Sequence, residues 1–537
     1  MRIGIDFDNT LACYQHVFAE VASLLDLVEP NWSGTKFELR ELLRLKENGE
    51  KKWQQLQGQV YGKYIERAEL FPGAANFLLR LKQRCWPIVI VSHKTKFGHY
   101  DHDRVPLRQA ALDWMENKKC FGNDGLGLKE QNVHFANTRE EKVQIIAEQG
   151  CDVFIDDLWE VFSELNFPYQ TQRILFSKAC DSKNSDYNLV SESWREISQF
   201  LLGIETETEI QYWADYVLNS VTDSCKQLAG RGNSRIYRVA HRGTDYVLKY
   251  YPDLARDPRE RLKTESRTSK FLVDNGLQNV LVCEGVEPEL SIGWYKWIPG
   301  KAVQKIDESL LDQAINFVEQ LKKLRINPDA KFLPQAAEAC LSFENLNYQL
   351  DRRLESLEKL QNPDLETFFS TEWQPLYKQS LLSPKIDLGE LPYIYQTLSP
   401  SDFGFHNALE LSEGKIYWLD FEYFGWDDPV KLICDFLWHP AMELSHELKQ
   451  QWVSKCCQIF GDDPHLQIRL KRDWSFYGLR WTLILLNEFL PHQWNQRMRA
   501  QQLDIDHRQE IQQKQLDKAR VICKLLRKEQ LTIPYLN

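Results

Sequence analysis

The apolar positions of this chain follow two different rhythms. Near the N-terminus, short unbroken apolar runs alternate with stretches of helical spacing. Ile3-Gly4-Ile5, Ile88-Val89-Ile90-Val91, Val133-His134-Phe135 and Val153-Phe154-Ile155 read as strands, and Ala74–Arg84, Val105–Met115 and Glu140–Glu148 read as helices. Unbroken runs suit strands buried on both faces. Strands alternating with helices predict a parallel sheet, whose functional residues gather at the strand carboxyl ends. Residues 13–70 read as one helical region, punctuated at its end by Phe71-Pro72-Gly73. Residues 177–192 form a polar loop, and Ser193–Leu202 a closing helix. The run Glu205-Thr206-Glu207-Thr208-Glu209 is either a linker or the start of the next helix.

Beyond it the rhythm changes. Residues 236–251 alternate as two strands around Arg242-Gly243-Thr244, and helical patterns dominate 303–385 and 430–530. With 537 residues the chain exceeds one ordinary core, given roughly 100–200 residues per domain. Hydrophobic residues make up 43% and charged residues 27%, a soluble globular profile. The formal charge of −11 argues against a large phosphate-backbone footprint, so a nucleic-acid partner is not expected. The 12 cysteines include no C-x-x-C pair, which weakens zinc and redox readings. No signal-peptide pattern and no membrane-spanning apolar run occurs, so a cytoplasmic enzyme acting on small molecules is expected. The oligomeric state is not legible.

Two groups of residues carry chemistry. Asp6 and Asp8 stand just beyond the first strand. A nucleophilic carboxylate accepts a phosphoryl group only if the incoming charge is neutralised, and a second carboxylate two residues on can help hold Mg²⁺ or protonate the leaving group. Downstream, Ser92 follows a strand and can donate to phosphoryl oxygens, Lys142 opens a helix and can neutralise charge, and Asp156 and Asp157 end another strand and can complete a metal site. Lys94 and Lys129 are nearby alternatives to Lys142. His93, His99 and His102, with Asp101 and Asp103, suggest a polar loop over the site mouth or, less economically, a metal site.

The segment Asp6-Phe7-Asp8-Asn9-Thr10-Leu11, with Val91-Ser92, Lys142 and Asp156-Asp157, resembles the haloacid dehalogenase-like phosphatase superfamily over roughly residues 1–200. The resemblance implies a Rossmann-like parallel sheet with a helical cap at about 13–70. It also implies Asp6 as nucleophile, Asp8 as general acid/base, Ser92 and Lys142 as phosphate-orienting groups, and Mg²⁺ held by Asp6, Asp8 and one or both of Asp156 and Asp157.

A kinase must cover the nucleotide phosphates, anchor them with a cation, position a hydroxyl and hold Mg²⁺. Gly230-Arg231-Gly232-Asn233-Ser234 precedes a strand and allows close backbone approach to phosphates, although a plain hairpin explains it equally well. Lys249 lies in the next strand, and Glu265 follows on a helix. Asp402 and Asn407 stand five residues apart in Ser401-Asp402-Phe403-Gly404-Phe405-His406-Asn407, and Asp420 ends the strand Ile416–Leu419. This set resembles the aminoglycoside phosphotransferase and choline kinase-like family over roughly residues 210–500. The resemblance implies a bilobal, protein kinase-like α+β domain, with Asp402 as catalytic base and Asn407 and Asp420 as Mg²⁺ ligands. It implies Gly230, Gly232, Asn233, Ser234, Lys249 and Glu265 around ATP or GTP, and a nucleotide hinge at Tyr295–Ile298. Pro400-Ser401 stand where the family has His-Gly. Trp474, Phe476, Tyr477, Arg480 and Trp481 are either a substrate wall or packed core.

The expected organisation is therefore a hydrolase domain at 1–203 and a kinase-like domain at 204–537, with a small lobe at about 210–300 and a large helical lobe at about 301–537. The expected activity is bifunctional, a phosphatase on a small phosphate ester joined to a kinase acting on a small hydroxyl or amino acceptor, in sugar or cell-envelope metabolism. The alternatives are polynucleotide end-processing, disfavoured by the charge and by the absence of a G-x-x-x-x-G-K-[ST] loop, and one domain acting as a non-catalytic sensor.

Overall fold

A computed structural model describes residues 1–30, 32–100, 103–122, 124–178, 187–203, 205–228, 234–252, 259–382, 388–491, 494, 508–529 and 531–536. The chain forms two compact units, one of Met1–Cys225 with Glu287–Ser291, the other of most residues from Lys226 onward.

Among the described residues the first unit is built on eight strands: β1 (Ile3–Ile5), β2 (Ala12–Cys13), β3 (Glu69–Leu70), β4 (Ile88–His93), β5 (Val133–Ala136), β6 (Val153–Asp156), β7 (Gln172–Leu175) and β8 (Leu189–Val190). Six of them form one sheet in the order β5-β4-β1-β6-β7-β8, with every pairing parallel. Ile3, Ile5, Ile90, Val91, Phe154 and Ile155 are fully buried, as a sheet covered on both faces requires. Gly4 lies in register with Val89 and Phe154. A Cβ on Gly4 would stand 2.5 Å from the Phe154 ring and 2.8 Å from Cys151 Sγ, so any larger residue forces these buried side chains to shift. Because β4, β1 and β6 are neighbours, their carboxyl ends bring Ser92, Asp6 and Asp156 to one edge.

The stretch 13–70 is not one helical run. It holds helices Val17–Leu24, Lys36–Arg44 and Gly49–Tyr61, and β2 pairs antiparallel with β3 where the excursion leaves and rejoins the unit. Asp26 and Asn48 interrupt it in left-handed backbone (φ 53° and 56°), a conformation these short polar side chains tolerate. Strand β8 falls inside the expected polar loop, since two residues carry no periodic signal. The acidic run at 205–209 is a helix start. Thr206 caps helix Glu207–Val217 in a capping box with Glu209, and the buried Glu209 carboxylate pairs with Arg80 at 3.0 Å and Arg84 at 3.1 Å.

The second unit opens with a sheet of β9 (Ser224–Leu228), β10 (Arg235–His241), β11 (Thr244–Tyr250), β12 (Cys283–Glu287) and β13 (Ile292–Lys296), ordered β12-β13-β11-β10-β9. Arg242 and Gly243 both take positive φ (50° and 76°), as a two-residue hairpin between β10 and β11 demands. Helix Arg261–Asp274 follows the sheet's hairpin in sequence. The remainder is mainly helical, including Glu308–Leu324, Phe343–Glu358, Pro429–Trp438, His446–Ile459, Leu466–Leu485 and Arg508–Lys528. Short strands interrupt it: β14 (Lys301–Ala302), β15 (Thr397–Ser399), β16 (Ala408–Glu410), β17 (Ile416–Trp418) and β18 (Gly425–Asp427). They pair as β14-β16-β17 and β15-β18. Trp474, Phe476, Tyr477, Arg480 and Trp481 are all buried in the core of this unit. Asp435 receives the Arg480 guanidinium at 3.1 Å and the Trp481 indole N–H at 2.8 Å, so this group packs the fold and forms no open wall. Among the described residues no helix is long and apolar enough to cross a membrane.

Candidate functional site

In the first unit, β1 ends directly at Asp6, and the chain then reverses in a tight turn. Leu11 N and Ala12 N both donate to Phe7 O, and Asn9 adopts left-handed backbone (φ 61°). The buried Trp194 indole donates to Thr10 O at 2.9 Å and pins this turn. Lys142 Nζ bridges Asp6 Oδ1 and Asp156 Oδ2, each at 2.6 Å. Lys94, offered by the sequence as an alternative, instead pairs with Asp8 at 2.7 and 2.9 Å. Tyr14 donates its hydroxyl to Asp8 Oδ1 at 2.7 Å. Ser92 Oγ, beside Asp6 on the next strand, is buried without a hydrogen-bond partner among the described residues. Such a group is costly unless a ligand completes it.

The electrostatics are unbalanced. Oxygens of Asp6, Asp156 and Asp157 lie within 4.8 Å of one another, with one ammonium, Lys142, between two of them. Burial pushes the Asp6 carboxyl up to about 7, against the pull of Lys142 and with a further push from Asp156. Burial, then Asp6 and Asp156, push Asp157 well above the carboxylate range. An all-oxygen donor set short of positive charge suits a hard divalent cation such as Mg²⁺, with Asp6, Asp156 and Asp157 as the residues able to hold it. The histidine group does not assemble among the described residues. His93 bonds Asn137 O at 2.9 Å, while Asp101 and His102 lie outside them. Asp103 receives Lys63 at 3.2 Å.

In the second unit a cavity of about 910 Å³ is lined by Ser234, Lys249, Glu265, Asn407, Asp420 and Glu422, among others. Lys249, on β11, meets Glu265 at 2.7 Å, Asp420 at 2.6 Å and Glu422 at 2.9 Å. Glu265 is fully buried, and its other oxygen accepts Phe421 N at 3.1 Å, tying helix Arg261–Asp274 to the segment that carries Asp420. Ser234 Oγ reaches Glu422 at 3.3 Å. Gly230, Gly232 and Asn233 lie outside the described residues. Burial pushes the Asp420 carboxyl up to about 7, with Lys249 opposing and Glu422 and Glu265 adding. Oxygens of Glu265, Asp420 and Glu422 lie within 4.8 Å of one another, a second oxygen set that fits a divalent cation. Of the expected hinge, Tyr295 is buried on β13, and Lys296, Trp297 and Ile298 line the cavity with it.

Asp402 sits at the turn after β15. Asn407 Nδ2 donates to Asp402 O at 2.9 Å, and Leu419 N donates to Asn407 O at 2.9 Å, so the two expected metal-site segments are joined through backbone. Ser401 takes left-handed backbone (φ 66°). Its hydroxyl donates to Ala337 O at 2.9 Å and accepts from Lys431 at 3.1 Å. These bonds hold the loop. Two residues that the sequence did not single out complete the surroundings. His406 Nε2 lies 3.1 Å from Asp402 Oδ1, and the His406 and His439 rings stack 3.7 Å apart at 3°. Removal from water would raise the Asp402 carboxyl. The His406 hydrogen bond and charge, with His439, outweigh this and hold it well below the usual range. His406 had a weak signal, standing next to Asn407. His439 had none, because it arrives from the end of a helix far along the chain.

No protein-family model and no curated protein sequence matches this chain. Solved structures do. A choline kinase from Streptococcus pneumoniae is similar at 15% identity and TM-score 0.37, over 59% of this chain and 99% of that one. A spectinomycin phosphotransferase in complex with ADP and its antibiotic is similar at 14% identity and TM-score 0.38, over 56% and 93%. A Plasmodium vivax ethanolamine kinase is similar at 13% identity and TM-score 0.37, over 60% and 91%.

Proposed function

We propose that the chain is a bifunctional, Mg²⁺-dependent cytoplasmic enzyme. Its first unit hydrolyses a small phosphate ester, and its second transfers a phosphoryl group from ATP or GTP to a small hydroxyl or amino compound. One observation carries this reading. In each unit a buried lysine closes a cluster of strand-end and helix carboxylates that outnumber it, Lys142 with Asp6 and Asp156, Lys249 with Glu265, Asp420 and Glu422. Such a cluster is incomplete until a divalent cation and a phosphate arrive.

In the first unit Asp6 attacks phosphorus as the ester P–O bond breaks, Lys142 steadies the charge and Asp8 passes a proton to the departing oxygen. Asp8 then takes a proton from a water that attacks phosphorus, freeing Asp6 and releasing inorganic phosphate. In the second, Asp402 receives the acceptor's proton while Lys249, positioned by Glu265, anchors the nucleotide phosphates. Bound Mg²⁺ supplies charge neutralisation at both sites.

The test is a screen for Mg²⁺-dependent phosphate release and for phosphotransfer on the wild type, Asp6→Asn and Asp402→Asn. Each substitution is expected to abolish one activity and spare the other. Loss of both from either folded variant would overturn the picture of independent sites.

A further inference from the structure

The segment between β2 and β3 carries one cation with an unusual environment. Lys36, the first residue of helix Lys36–Arg44, is half-buried and donates to Tyr61 OH at 3.0 Å and Asn9 Oδ1 at 3.3 Å. Its ammonium lies 4.8 Å from the Phe18 ring centroid and 5.7 Å from that of Tyr61. No carboxylate among the described residues forms an ion pair with it. The other cations of the site are committed, Lys142 to Asp6 and Asp156, Lys94 to Asp8. The Tyr61 ring also faces Lys94, whose Nζ is 5.0 Å from its centroid. Tyr14, which donates to Asp8, packs edge-on against Tyr61 at 4.9 Å. Lys36 therefore stands over an aromatic wall shared with the acid/base carboxylate, and touches the residue that follows that carboxylate in sequence.

Asp157 and Asp8 act on Lys36 at longer range, but its hydrogen-bond partners are both neutral. A partly desolvated ammonium so placed is stabilised when an anion reaches hydrogen-bond distance. On the phosphatase reading the phosphoryl group belongs at Asp6, Ser92 and Lys142 and Asp8 serves the departing oxygen, which puts an anion beside Asn9 and Tyr61 on the leaving-group side. We propose that the phosphate ester hydrolysed by the first unit carries a second anionic group, a carboxylate or another phosphate, on its leaving group, and that Lys36 receives it. This proposal rests on the phosphatase reading of Asp6. It makes Lys36 a specificity-determining residue supplied by the excursion between β2 and β3. The competing role for Lys36 is a purely structural staple between its helix and the Asn9 turn.

The experiment compares kcat/KM for matched esters with neutral and anionic leaving groups, glycerol 1-phosphate against 3-phosphoglycerate and glucose 1-phosphate against glucose 1,6-bisphosphate. The full chain is used as wild type, Lys36→Met and Lys36→Arg. The wild type is expected to favour the anionic member, and Lys36→Met to reduce that ratio by about 10- to 100-fold, the scale of one charge-assisted hydrogen bond. Lys36→Arg is expected to keep most of the ratio. A wild-type ratio near one, or an equal loss on both members in Lys36→Met, overturns the proposal and leaves the structural staple. Failure of every ester would instead count against the phosphatase reading. Calorimetry with methylphosphonate and phosphonoacetate then decides the point separately. Tighter phosphonoacetate binding that vanishes in Lys36→Met supports an anion site, and equal binding of the two probes overturns it.

Discussion

The charge imbalance at Asp6 makes a quantitative prediction. Asp6→Asn replaces a buried carboxylate by a neutral group of the same shape. In the folded protein without metal, burial pushes the Asp6 carboxyl from an ordinary 3.8 up to about 7. A carboxyl raised on folding is penalised when it ionises. The penalty is absent below about 3.8, grows as pH rises toward about 7, and is constant above. At about 1.4 kcal/mol per pH unit, that interval corresponds to about 4 kcal/mol. The net value already includes the attraction of Lys142, so the neutral variant is expected to gain about 2–4 kcal/mol at pH 8 in a chelator and nearly nothing at pH 4. Hydrogen exchange of the β6 amides, measured between pH 4 and pH 8 and corrected for intrinsic rates, reads this stability within the first unit. Mg²⁺ should flatten the wild-type dependence, because a cation among Asp6, Asp156 and Asp157 stabilises their ionised forms. A variant less stable than wild type at pH 8, or one whose difference does not change with pH, would refute the reasoning.

Other consequences are simpler to test. Gly4→Ala places a methyl group against Phe154 and Cys151 Sγ and should destabilise the first unit by about 1–3 kcal/mol in urea unfolding. Glu209→Ala leaves the buried Arg80 guanidinium short of its carboxylate and should cost about 3–5 kcal/mol by the same measurement. Asp402→Asn should lower phosphotransfer turnover by about 10²–10⁴-fold while nucleotide affinity, read by calorimetry, stays close to wild type. Ser401→Gly relieves left-handed backbone but loses the bonds to Ala337 and Lys431. These terms oppose each other at about 1 kcal/mol each, so melting temperature and phosphotransfer rate should change little.

Local pattern alone determined a good deal about this protein. The apolar runs at Ile3–Ile5, Ile88–Val91 and Val153–Ile155 are strands because unbroken apolar stretches can only be buried on both faces, and the acids that follow them must then lie at strand ends. The Arg242-Gly243 turn was equally legible, since a hairpin of that length needs positive φ. Irregular pieces were not. The interruptions of 13–70 and the strands β7 and β8 depend on contacts with distant residues more than on periodicity, whereas the helix that Thr206 caps is set by its local bonds to Glu209.

The pairings at the two sites lay further still from the sequence. Residue type and order suggested Lys142, but only the neighbouring positions of β1 and β6 set its ammonium between Asp6 and Asp156. The same tertiary arrangement gave Lys94 to Asp8, gave Lys36 neutral hydrogen-bond partners, and stacked His439 on His406 beside Asp402. The reason is physical. Periodicity records which face of an element is buried, whereas the partner of a charged side chain is chosen by crossover connections and by the competition among buried charges, and both exist only once the chain has folded.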